Sequence, residues 1–123
     1  MHSDRSLERK NLMDNQTYLV YLSELKNRVF KILPLCEEKN NHIDKYLDSL
    51  IIELKGITLA YPDIINSKTA WYVKVLSSLF TFYEDYSIEE LHSPNGISRI
   101  RSQIFMLINL IEKERRLVEN ELF

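Results

Sequence analysis

Apolar side chains recur along this chain at intervals of three and four residues, the spacing that lays one stripe along an α-helix. From about Asn15 to Lys39 the stripe is Tyr18, Leu22, Leu25, Val29, Ile32 and Cys36, stepping 4, 3, 4, 3 and 4. The pattern predicts a first helix with Asp14 as its N-cap. Pro34 interrupts the stripe without resetting it. A proline lacks the backbone N–H and crowds the preceding turn, so a kink or a break is expected there.

After Asn40 and Asn41 the same rhythm returns with Ile43, Leu47, Leu50, Leu54 and Ile57. Asn41 is placed to cap this second helix, Asp44 complements the dipole of its first turn, and Tyr61-Pro62-Asp63 closes it. Asn66 and Ser67 can cap a third helix reaching about Tyr86, with Tyr72, Leu76, Leu79, Tyr83 and Tyr86 on one line. Trp71, Val73, Val75, Phe80 and Phe82 spread apolar surface over most of the remaining circumference. A helix apolar on most sides is buried by its neighbours or by another chain.

Ser87-Ile88-Glu89-Glu90 has the form of a capping box and predicts one short helical turn. Ser93 and Pro94 then supply an N-cap and a first helical residue for the last helix. That helix carries Ile97, Ile100, Ile104, Leu107, Ile111, Val118 and Leu122, and its stripe turns polar at Glu114, where it is expected to leave the core. Four long helices with short connections predict an all-α fold, an antiparallel four-helix bundle with a short extra helical turn before the last helix. Residues 14–123 would form this single domain, and residues 1–13, which lack a periodic pattern, a disordered N-terminal segment.

Composition narrows the function more than the fold. Two glycines and three prolines in 123 residues are too few for an all-β sandwich. Sixteen Lys and Arg against eighteen Asp and Glu leave a net charge of −2, without the basic stripe that grips nucleic-acid phosphates. Nucleic acid is therefore not the expected partner. The first ten residues have no signal-peptide pattern, and no apolar run approaches the ~18 residues of a membrane span. With one cysteine there is no disulfide framework. A soluble cytoplasmic protein without membrane association is expected.

Chemistry-bearing motifs are sparse. A di-iron bundle needs a Glu-x-x-His on each of two helices, and here only Glu89 to His92 has that spacing, in a connection. His2, His42 and His92 with Cys36 make no local tetrahedral set. Cys36, with Glu37, Glu38 and His42 nearby, has the residue types for nucleophilic catalysis, but its place on the core seam predicts an inert thiol. Phosphate-cradling glycine loops are absent. No catalytic, metal-binding or cofactor-binding residue is assigned, and no cofactor is expected.

Trp71, Val75, Phe80 and Phe82 remain, the residue types that dominate protein interfaces, together with Arg99 and Arg101, which have no carboxylate near them in sequence. The third helix is either enclosed at the centre of the bundle or left with one face for a partner. The resulting expectation is a non-enzymatic protein-protein interaction module, an adaptor, inhibitor or immunity- or antitoxin-like bundle by fold analogy alone. It would bind a protein partner through those six residues. Two alternatives stand beside it. One is a structural homodimer burying the third helix across a two-fold axis. The other is an enzymatic or ligand-binding bundle, with Tyr18, Tyr46, Tyr72 or Tyr83 converging on an internal polar pocket.

Overall fold

The structure, a computed structural model, describes residues 15–60 and 69–122. These form α1 (Asn15–Phe30), α2 (Ile32–Glu37), α3 (Ile43–Ala60), α4 (Thr69–Glu84), α5 (Ile88–His92) and α6 (Pro94–Leu122). Every regular element among them is helical, so the protein is all-α. The proposed caps Asp14, Asn66 and Ser67, the closing Tyr61-Pro62-Asp63 and the expected disorder of 1–13 fall outside the described residues.

Pro34 interrupts the first helix at a single residue, Lys31, which keeps helical dihedrals (φ −62°, ψ −19°). Lys31 also keeps the helical bonds on either side, its own amide donating to the Asn27 carbonyl and that of Leu35 to the Lys31 carbonyl. Pro34 cannot donate to the carbonyl of Phe30, and α1 ends at that residue. Only Lys31 separates α1 from α2, so the apolar rhythm passes through the interruption, and Val29, Ile32, Leu33 and Cys36 are all buried. The chain leaves α2 through Lys39, which adopts a left-handed φ of 55°. Its amide donates to the Cys36 carbonyl (3.1 Å) and that of Asn40 to the Leu35 carbonyl (3.0 Å), the pairing of a Schellman turn. Asn40, not Asn41, holds the turn into α3: its Oδ1 accepts from the His42 amide at 2.8 Å, and the first helical bond runs from the Tyr46 amide to the His42 carbonyl.

The junction before the last helix follows its sequence signals closely. Ser87 Oγ accepts from the Glu90 amide and Glu90 Oε1 accepts from the Ser87 amide, both at 3.1 Å. Ser93 Oγ accepts from the Gly96 amide at 3.0 Å, capping α6. A Cβ at Gly96 would lie 1.7 Å from the Glu90 carbonyl oxygen, so only glycine allows α5 and α6 to meet this closely. His92 Nε2 lies 3.0 Å from the Asn40 carbonyl oxygen and ties α5 to the turn after α2.

The long α6 packs along α1 and also against α2, α4 and α5, while α3 packs on α4 and α2. The shared interior holds Leu22, Val29, Ile43, Leu47, Leu54, Val75, Leu79, Phe82, Ile100, Ile104, Leu107 and Ile111. Each fully buried aliphatic or phenyl side chain contributes roughly 1.5–3 kcal/mol against leaving it in water. This interior is what carries the fold. Among the described residues no helix is long and apolar enough to cross a membrane.

Candidate functional site

The aromatic helix of the sequence is α4, and its apolar residues divide into two stripes. The first faces inward. Trp71, Val75 and Phe82 are 3%, 0% and 1% exposed, which corrects the expectation that they form part of a face open to a partner. The reason is the register of α4: Trp71, Val75, Leu79, Phe82 and Tyr86 step 4, 4, 3 and 4, and this line meets α6 and α3. Tyr86 stacks edge-on against Phe82 with ring centroids 6.2 Å apart. Trp71, Val75, Leu79 and Phe82 are core, and Tyr86, just past the end of α4, packs against it half-buried.

The second stripe, Val73, Leu76, Phe80 and Tyr83, steps 3, 4 and 3 along another face of α4. Val73 is 58% exposed and Tyr83 40%, while Leu76 and Phe80 are half-buried and pack against the core margin. Lys55 of α3 lays its ammonium 4.7 Å from the centroid of the Phe80 ring, a cation–π contact that ties the two helices at the surface. Ile52, one turn before Lys55 on α3, is 62% exposed. Lys74, Ser77, Thr81 and Glu84 fill the rest of the circumference and face solvent. Helix α4 is therefore not apolar all round. It has a core line, a polar line and a second apolar line at the margin.

Of the six residues singled out by sequence, only Phe80 lies on this outer stripe. Arg99 and Arg101 are exposed on α6 and do not join it. Arg101 Nη2 lies 3.8 Å from Glu37 Oε1 of α2, a long contact between two half-exposed side chains. Arg101 thus has a carboxylate neighbour that its sequence surroundings did not reveal.

The tyrosines do not converge on one pocket. Tyr46 Oη donates to the Arg28 carbonyl at 2.7 Å, one turn before the interruption in the first helix. Tyr72 Oη donates to the Leu54 carbonyl at 2.7 Å. Tyr18 Oη donates to Glu114 Oε2 at 2.8 Å and accepts from Trp71 Nε1 at 2.9 Å. Glu114 is itself buried, so α6 does not leave the core there: the apolar line admits one carboxylate because a tyrosine from α1 meets it. Burial, then the hydrogen bond to Glu114, pushes the Tyr18 phenol far above its usual range. Tyr21 is pushed up too, by burial first and the nearby Glu53 second, and its hydroxyl has no hydrogen-bond partner among the described residues.

Candidate catalytic groups are likewise dispersed. Burial pushes the Cys36 thiol up to about 11, the direction that suppresses the thiolate. His42 is exposed, and His92 faces a backbone carbonyl. No group of three or more His, Cys, Asp or Glu among the described residues is placed to hold a metal. A half-open groove of about 250 Å³ runs between α4 and α6, lined by Lys74, Ser77, Ser78, Thr81, Phe82, Tyr86 and Gln103. Ser77 and Thr81 spend their hydroxyl protons on carbonyls of their own helix. The groove is the solvent-facing furrow of two packed helices.

On the margin between α1 and α6, Phe30 and Phe105 form an edge-to-face pair with centroids 6.3 Å apart, and both rings are nearly half exposed. Beside them Glu112 accepts from Lys26 Nζ at 3.0 Å and from Arg115 Nη2 at 2.8 Å. Arg115, and after it Lys26, hold the Glu112 carboxyl down to about 2. The Phe30–Phe105 contact joins residues 75 positions apart, which periodicity along one helix cannot detect.

Comparison of the chain with family models, with curated proteins and with solved structures finds no match.

Proposed function

We propose that this protein is a non-enzymatic interaction module that docks another protein on the outer stripe of α4 and the adjoining surface of α3. The observation that supports this reading is that Val73 and Tyr83, both exposed, share one face of α4 with the half-buried Leu76 and Phe80, while Ile52 is exposed one turn from Lys55, whose ammonium meets the Phe80 ring. Solvent-facing apolar residues scattered singly are ordinary, whereas several on one helix face with aromatic rings among them have the composition of an interface core. Phe80, held by Lys55, is the rigid anchor; Val73, Tyr83 and Ile52 exclude water around it. The dispersal of the tyrosines, Cys36 and the histidines favours this reading over a ligand-binding or catalytic bundle.

For the architecture we infer the antiparallel four-helix bundle with the short turn α5 before its last helix. Tyr18 near the start of α1 meets Trp71 near the start of α4 and Glu114 in the latter part of α6, while Glu37 of α2 approaches Arg101 near the start of α6. A cytoplasmic setting accords with the single buried thiol.

The test is site-specific photo-crosslinking with a crosslinking amino acid at position 73 or 83, and at position 20 as a control. Val20 is exposed on α1, away from the proposed face. A discrete adduct from 73 and 83, absent from 20 and abolished by Phe80→Ser, is expected. An adduct of twice the protomer mass would identify the partner as a second copy and establish the homodimer. Equal labelling from all three positions, or adducts indifferent to Phe80→Ser, would overturn the proposed face.

A further inference from the structure

We draw no further inference here: the strongest candidate, the half-exposed Phe30–Phe105 pair on the margin between α1 and α6, is an apolar patch for which nothing in the structure shows what covers it.

Discussion

The inner and outer stripes of α4 are built from the same residue types, and they differ in fate. Trp71, Val75 and Phe82 point into the shared interior; Val73, Phe80 and Tyr83 lie outside it, with Phe80 against Lys55 of α3. An offset of two residues between Val73 and Val75 separates a fully buried side chain from one mostly in water. Side-chain chemistry does not decide burial on such a helix. Angular position relative to the neighbouring helices does, and the polar line of Lys74, Ser77, Thr81 and Glu84 fixes that angle.

Two phenylalanines give the widest separation between the stripes. Phe82→Ala removes a buried ring and leaves a cavity, and should cost about 3–5 kcal/mol in urea unfolding. Phe80→Ala loses a half-buried ring and its contact with Lys55, and should cost about 1 kcal/mol. Equal costs would erase the distinction between the two faces.

The inner stripe is also pinned by polar atoms. Tyr18→Phe would leave the Trp71 indole N–H and the Glu114 carboxylate without their partner. Loss of a buried hydrogen bond to a charged group should cost about 2–3 kcal/mol. The same substitution sharpens a pH prediction. The folded-state pKa of Tyr18 is raised above the ordinary 10.0. Its contribution is therefore fully present below pH 10 and lost as pH rises through the folded value. Wild-type stability should decline above pH 10, and Tyr18→Phe should flatten that decline. An unchanged alkaline slope would remove Tyr18 from the network.

On the acid side the sign reverses. Glu112 is lowered from 4.5 to about 2, so its contribution is present above pH 4.5 and lost as pH falls toward 2. Glu112→Gln should reduce stability near neutrality by about 1 kcal/mol, since its partners reach the surface. It should also weaken the acid dependence between pH 4.5 and 2. The smallest effect belongs to the outer stripe: Val73→Ser and Tyr83→Ser should each shift stability by no more than about 0.5 kcal/mol. A loss of crosslinking without loss of stability would separate docking from folding.

The capping signals were the most legible feature of the chain. Ser87 with Glu90, and Ser93 with Pro94, act within four residues of themselves, and local hydrogen bonds decide their outcome. The core lines of α1, α3 and α6 were equally plain, because three- and four-residue steps report one face directly. Glu114 was misread because a carboxylate signals solvent until its partner is known, and Tyr18 lies 96 residues away. Lys39 gave no sign of its left-handed backbone, a position usually filled by glycine or asparagine. On α4 the many aromatic residues mask the register that four polar positions, Lys74, Ser77, Thr81 and Glu84, impose on the helix. Those four positions held the information about which side faces inward.

The chain has a single tryptophan, and it lies on the inner stripe. Acrylamide quenching of Trp71 emission in dilute protein, shown by sedimentation to be monomeric, therefore reads the orientation of α4 directly. A blue-shifted indole that quenches poorly, and stays so in Val73→Ser and Tyr83→Ser, is predicted. A red-shifted indole that acrylamide reaches freely in the monomer would contradict it.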